Sequence, residues 1–473
     1  MSNKLNALDL AFLSLEKQRT PVNVASLTMF DIPEDYQGNF TRDLIEQLER
    51  QPAGPPFNQK LSSVHSAALP SWVADENFDI HYHVRHSALP KPGTMADLLE
   101  LVSRLHSRLL NRERPLWEFH LIEGLENNQF ALYMKMHHAA IDGMGGIEIM
   151  ENCFSLSPNE EVKAPWSGMQ KYRKSAGNDS LGLLAKTNKM IGEVSSGAKM
   201  VQDLSKMFMS QGLKAVGISN NSSPVPFSAP KSIFNVPITG ARRFAVKSLP
   251  LSEIKALGKE AGATVNDIIL ALCSGALRKY MQEKNALPKK SLIASVPVSV
   301  RQVNRSGNQI TYVIANLATN EPDTMTRLAK IAASTIDAKK ELGDVSADAA
   351  TNFAVIAQGL VAVMNQLNMT SLIPPAANVT VSNVPGPRRS LYFGQAELKS
   401  TYPLSVLIDG QSLNITVVSY RDSIDFGLMA CRDTIPDVNV LADYIEAAVD
   451  GIKGGIYMQG LLQEKKKALS HKP

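Results

Sequence analysis

The sequence predicts a mixed α/β protein built as two halves joined by a long helical connection. Three observations lead there. The chain has 473 residues, 44% of them hydrophobic, which is more than one ordinary core accommodates. Segments with strand-like alternation and segments with helical spacing interleave from about residue 5 to 155, and again from about 233 onward. Between them the composition shifts: Pro158, Pro165, Gly168, Ser175 and Gly177 punctuate the start of the intervening stretch, and the serine- and asparagine-rich 219–224 its end. The expected division is an N-terminal domain over 1–157, a helical crossover linker over 158–232 and a second domain over 233–473.

The elements follow from periodicity. Residues 96–109 carry Leu98, Leu99, Val102, Leu105 and Leu109 at helical spacing and read as an amphipathic helix. Two apolar runs, 116–122 and 129–138, flank the turn residues 123–128 and read as a hairpin. The glycine-rich turn at Gly143, Gly145 and Gly146 leads into a helix beginning near Ile147. In the linker, 183–216 places Met190, Val194, Met200, Leu204 and Phe208 among lysines, which suits one or two amphipathic helices that either pack across two domains or present a methionine-rich surface to lipid. Further on, 241–249 alternates, 264–280 is helical, and 292–300 is a valine-rich strand in which Pro297 suggests an edge or a bulge. Strands are also expected at 379–383, 413–420 and 423–429. The lysine-rich tail at 464–467 reads as a solvated helix end.

Composition excludes several function classes. The 49 basic against 45 acidic side chains leave a charge of only +4, spread along the chain, so no nucleic-acid partner is expected. Cys153, Cys273 and Cys431 lie too far apart for a CxxC motif, and their odd number suits a reducing compartment. The N-terminus shows no secretion signal. The longest apolar stretches, 353–364 and 268–277, fall short of the ~18 to 20 residues of a spanning helix. The expectation is a cytoplasmic protein whose membrane contact is peripheral. No nucleophile elbow, phosphate loop, dinucleotide fingerprint or HExxH zinc motif is present.

Chemistry concentrates at His137, His138, Ala139, Ala140, Ile141, Asp142 and Gly143, where the second hairpin strand ends. Adjacent strand residues point to opposite faces, which argues against one metal ion held by both histidines, so no metal is expected. Alternation groups Leu132, Met134, Met136 and His138 on one face and Ala131, Tyr133, Lys135 and His137 on the other. A neutral imidazole at the strand end, on the apolar face, is suited to removing a proton from a hydroxyl. His138 therefore has two readings, a hydrogen-bonded core histidine or, at this strand end beside a turn, a candidate general base. Asp142 has two readings: it orients the imidazole, or it turns away to an arginine and holds the turn.

The stretch HHAAIDG matches the HHxxxDG motif of bacterial wax ester synthase/acyl-CoA:diacylglycerol acyltransferases. These belong to the superfamily named for chloramphenicol acetyltransferase, which also contains nonribosomal peptide condensation domains. Other matches run in order along the chain: the opening Leu8, Asp9, Leu10, Ala11, Phe12; the Pro115-Leu116-Trp117 triplet; Asn266-Asp267; Gly307-Asn308; and the Asn383-Val384-Pro385-Gly386-Pro387 turn. Each also has a plain structural account. Pro115 and Trp117 suit a rigid strand start with a buried indole as well as a substrate channel. Thr264 and Asp267 suit a helix cap, which leaves Asn266 as a candidate oxyanion contact in the first helical turn. Asn383, Pro385 and Gly386 suit a rigid turn or a tunnel wall.

The resemblance implies two chloramphenicol acetyltransferase-like domains with His138 midway along a tunnel between them. Long-chain acyl-CoA would enter from one side, and a fatty alcohol or diacylglycerol from the other. Transfer would be direct, without an acyl-enzyme and without a cofactor, at a reversibly contacted membrane or lipid-droplet surface. It also implies a structural role for His137 and Gly143, and an ion pair between Asp142 and Arg301. The alternatives are a condensation-type acyltransferase using carrier-bound acyl groups and an inert lipid-droplet-binding homologue.

Overall fold

The computed structural model describes residues 3–5, 7–62, 70–141, 143–167, 222–225, 227–299, 310–343 and 374–470. The expected linker helices at 183–216, together with Asp142, Arg301, Gly307 and Asn308, lie outside these residues. In the first half the elements run β1 (Asn3–Lys4), α1 (Ala7–Leu15), β2 (Asn23–Asp31), α2 (Phe40–Glu49), β3 (Gln59–Leu61), β4 (Ser71–Ala74), α3 (Ile80–His83), β5 (Val84–Ala88), α4 (Met95–His106), β6 (Trp117–Leu125), β7 (Gln129–His137) and α5 (Gly143–Cys153). The second half runs β8 (Arg242–Pro250), α6 (Leu251–Ala261), α7 (Val265–Glu283), β9 (Ile293–Ser299), β10 (Ile310–Asn316), α8 (Thr324–Gly343), β11 (Val379–Pro385), β12 (Tyr392–Phe393), β13 (Ala396–Leu404), β14 (Leu413–Tyr420), β15 (Ser423–Cys431) and α9 (Val438–Ser470).

Two six-stranded mixed sheets organise these elements, in the orders β12-β13-β2-β7-β6-β5 and β10-β9-β11-β14-β15-β8. The division expected at residue 233 is not clean. β13, far down the second half, pairs antiparallel with β2, Thr401 opposite Thr28, and completes the first sheet. Its backbone also reaches the second sheet: the Thr401 N–H donates to Asp425 of β15 at 2.9 Å. A Cβ on Gly427 would stand 2.0 Å from the Pro403 carbonyl oxygen, so only glycine admits β13 this close to β15.

Cores form on both faces of the first sheet. One gathers Phe30, Phe119, Phe130, Leu132, Met134 and Met136 with α2; the other joins Leu27, Met29, Ala131 and Tyr133 to α4 and to Phe244, Met429 and Cys431 of the second sheet. The alternation expected in β7 therefore holds. Both of its faces are nonetheless interior, because the second sheet covers the side away from α2. Helices α6 to α9 pack on the remaining face of the second sheet.

Pro297 is not on an edge strand, as the sequence suggested. β9 lies between β10 and β11, but its pairing with β11 stops at Ala294 and Ser295, so at Pro297 only the β10 side is paired. The missing N–H costs no ladder bond to β11 there. The expected cap is present: the Thr264 hydroxyl accepts from the Asp267 N–H at 3.2 Å, and Asp267 returns a bond to the Thr264 N–H at 3.0 Å.

Candidate active site

The turn that carries the two histidines is pinned from both neighbouring segments. The His137 N–H donates to the Leu116 carbonyl at 3.0 Å, and the next N–H, that of His138, donates to the Val22 carbonyl at 2.9 Å. β7 ends between them. The first bond ties the turn to the Pro115-Leu116-Trp117 segment and the second to the start of β2. Ala140 closes the turn by donating to the His137 carbonyl at 2.8 Å.

Side-chain chemistry separates the pair. His137 is fully buried, and its Nδ1 accepts from the Ala139 N–H at 3.0 Å. A neutral ring that accepts at Nδ1 carries its proton on Nε2. That nitrogen faces Glu16 Oε1 at 3.4 Å. Arg112 holds the other Glu16 oxygen through Nε at 3.2 Å and Nη2 at 3.1 Å, and the Val22 N–H donates to Oε1 at 3.3 Å. Burial works to raise the Glu16 pKa, but the His137 contact, the Val22 bond and the Arg112 charge outweigh it and hold the carboxyl below its usual range. His138, by contrast, is half-buried, and its ring centroid lies 4.2 Å from that of Phe12 on α1.

Sequence reasoning missed Glu16 and Arg112. The only local signal is a glutamate closing the apolar run of α1; the partner it meets is 121 positions away and is fixed by tertiary structure. It also missed the layer beneath His137. Lys135, two residues back on the same face and fully buried, donates to the Leu105 and Arg108 carbonyls at the end of α4 and pairs with Glu118 at 3.0 Å. Burial lowers the Lys135 pKa despite that partner. The Glu118 carboxyl, although burial opposes its charge, is pushed down to about 2 by its His120 and Lys135 contacts.

Comparison with known proteins shows the family to which the chain belongs. Residues 5–269 match the wax ester synthase/diacylglycerol acyltransferase catalytic domain, and residues 306–453 match the C-terminal domain of the same family. The chain belongs to the wax ester synthase/diacylglycerol acyltransferase family. A probable diacylglycerol O-acyltransferase of Mycobacterium tuberculosis is 38% identical, over 95% of this chain and 98% of that protein. An O-acyltransferase of Acinetobacter baylyi is 37% identical over 96% and 98%. The solved wax ester synthase/diacylglycerol acyltransferase of Marinobacter aquaeolei aligns over 96% of this chain and all of its own, with a TM-score of 0.75 and 33% identity. A starter condensation domain of rhizomide synthetase, 14% identical with a TM-score of 0.57, shares the fold. The enzyme is thus an O-acyltransferase with the chloramphenicol acetyltransferase-like architecture.

The remaining motif residues of this acyltransferase are placed as follows. Pro115 is buried and Trp117 is 1% exposed. The Trp117 indole N–H donates to the Phe57 carbonyl at 2.8 Å, and its ring stacks on His83 and Trp166 with centroids 4.5 and 5.5 Å away. Trp117 is therefore an interior pillar of the first sheet's core. Asn383 is half-buried on β11 opposite Val417 of β14, and Pro385 is exposed at the strand end. Gly386 donates to the Ser419 hydroxyl at 3.2 Å, and a Cβ on it would lie 2.3 Å from the Ser419 carbonyl oxygen. The stretch 383–387 thus needs its glycine for backbone packing. Asn266 is half-buried in the first turn of α7, on the helical layer of the second sheet. Among the described residues no hydrogen bond joins it to the His137–His138 turn. Gly143 opens α5. The expected Asp142–Arg301 pair lies outside the described residues.

Proposed function

We propose that this acyltransferase moves a long-chain acyl group from CoA to the hydroxyl of a fatty alcohol or of diacylglycerol, with His138 as general base. The observation that carries the assignment is the unequal fate of the two rings. His137 is fully buried, with Nδ1 accepting from the Ala139 N–H and Nε2 3.4 Å from the Glu16 carboxylate, whereas His138 is half-buried, its ring beside that of Phe12 and its backbone fixed by the Val22 carbonyl. A base must reach the proton it removes, and a fixed backbone limits how far the ring strays.

In the proposed step, His138 accepts the hydroxyl proton as the oxygen attacks the thioester carbonyl. The carbon–sulfur bond then breaks and the imidazolium returns the proton to the departing thiolate. Ester and free CoA are the products, and neither an acyl-enzyme nor a cofactor takes part. The substrate classes rest on the names of the relatives. Thiol release from palmitoyl-CoA with hexadecanol, and separately with dioleoylglycerol, tests the reading. Loss of both reactions in His138→Ala, with no radiolabelled acyl group retained on the protein when acceptor is omitted, is the expected result. Label bound covalently to the chain would overturn direct transfer.

Such acceptors partition into lipid, and the reading includes reversible attachment to a membrane or lipid-droplet surface. Among the described residues no helix is long and apolar enough to cross a membrane. Near its end, α9 exposes Tyr457, Met458, Leu461 and Leu462, spaced to share one helix face, and the sequence continues through Lys465, Lys466 and Lys467. An apolar stripe followed by lysines suits an anionic bilayer surface. Flotation with anionic vesicles, reduced by Leu461→Glu and Leu462→Glu, is the check; attachment that resists high salt and carbonate would contradict a reversible contact.

A further inference from the structure

The two halves meet at a pocket of about 590 Å³ whose lining, among the described residues, holds four arginines and no carboxylate. Arg19 comes from the turn between α1 and β2, Arg104 and Arg108 from the end of α4 and the residues after it, and Arg432 from the end of β15. Gly240 forms part of the wall, and a Cβ there would stand 2.5 Å from the Gln18 carbonyl oxygen. The joint is therefore closely fitted and belongs to the folded arrangement of both halves.

The charges in this pocket are only partly neutralised. Arg19 pairs with Asp409 at 3.1 Å, and Arg432 meets its neighbour Asp433 at 3.6 Å. Among the described residues, no carboxylate lies within ion-pair distance of Arg104 or Arg108. Both sit where cations favour the α4 dipole, which accounts for those two. It does not account for Arg19 and Arg432, which reach the same space from other segments. Gathering like charges has a self-repulsion cost that a bound polyanion removes.

The pocket is also one backbone segment away from the histidines. Arg19 lies between Glu16, which faces His137, and Val22, whose carbonyl holds His138. The Arg108 carbonyl accepts from the Asn23 amide at 3.1 Å, and Asn23 stands opposite His137 in the sheet.

We propose that this pocket binds the phosphates of the acyl-CoA donor, its pyrophosphate and 3′-phosphate, while the flexible pantetheine arm carries the thioester to His138. The inference rests on acyl-CoA being the donor. Guanidinium forks match phosphate oxygens bidentately, and several from separate segments grip a polyphosphate that no single helix end could hold. The shared chemistry is a clustered phosphate, which an anionic lipid headgroup also offers, so the test separates the two sources.

The probe is adenosine 3′,5′-bisphosphate, whose binding needs no turnover. Titration into the full-length wild type and into Arg104→Glu and Arg108→Glu should show at least about tenfold weaker binding in each variant, since a reversed charge replaces attraction by repulsion. The advantage of palmitoyl-CoA over palmitoyl-pantetheine in kcat/KM should fall by a similar factor, through KM. Arg104→Gln and Arg108→Gln, compared by melting temperature, guard against a folding defect and should give a smaller loss in the same direction. Unchanged bisphosphate affinity in folded variants would overturn the proposal. So would lost binding to phosphatidylglycerol vesicles with bisphosphate binding retained, which assigns the pocket to a headgroup. Absence of ester formation from every donor would instead sink the acyltransfer reading and leave the bisphosphate result standing.

Discussion

His137 Nε2 lies 3.4 Å from Glu16 Oε1, with neither side chain open to solvent. The contact joins the end of the first helix to the end of the strand that carries the two-histidine turn. Its energetic weight comes from what a missing partner would leave behind: a buried carboxylate or a buried imidazole with one partner fewer.

Glu16→Gln should therefore destabilise the fold by about 3 kcal/mol at neutral pH, the scale of a buried pair broken from one side. The pH dependence follows from the depressed Glu16 pKa. A carboxyl whose folded value lies below its ordinary 4.5 contributes stability fully above that value and loses it as pH falls through the folded value. The gap between wild type and variant in urea denaturation should stay constant from neutral pH down to about that point and narrow below it. A gap that persists unchanged in strong acid would show that the carboxylate charge is not the source.

The two histidines should separate cleanly. His138→Ala removes the proposed base, and loss of a general base typically removes ~10²- to 10⁴-fold of rate. Its melting temperature should stay close to wild type, because the pinning is through its backbone. His137→Ala should leave a measurable rate in the folded fraction but cost about 1 to 3 kcal/mol of stability, since the Ala139 N–H and Glu16 each lose a buried partner. Equal, severe rate losses in two equally stable variants would contradict this separation.

Trp117 distinguishes an interior pillar from a channel wall. Trp117→Phe keeps a ring in the stack but leaves the Phe57 carbonyl without its donor, and should cost about 1 to 3 kcal/mol in thermal unfolding. KM values for palmitoyl-CoA and hexadecanol should hold. A raised KM at unchanged melting temperature would favour the channel role.

Gly386 makes a steric prediction. A Cβ 2.3 Å from the Ser419 carbonyl oxygen cannot be accommodated without moving β11 or β14, so Gly386→Ala should lower stability by ~1 to 3 kcal/mol. Gly460→Ala is the control, since nothing lies within 4 Å of the added carbon on the exposed α9 surface. Helix propensity alone predicts a slight gain there. Similar losses at both positions would remove the steric explanation.

Local pattern by itself determined the β6–β7 hairpin, the sorting of β7 side chains onto two faces and the Thr264–Asp267 cap. Each of these depends on spacings within a few residues, which the periods of strand and helix fix directly. The ordered motifs likewise carry the family resemblance in the sequence alone. Tertiary structure decided the rest. Glu16 beneath His137, β13 completing a sheet begun nearly four hundred residues earlier, Pro297 on an interior strand and four arginines around one pocket are all meetings between distant segments. Alternation shows that a strand has two faces; only the packing of the second sheet against β7 made both of them interior.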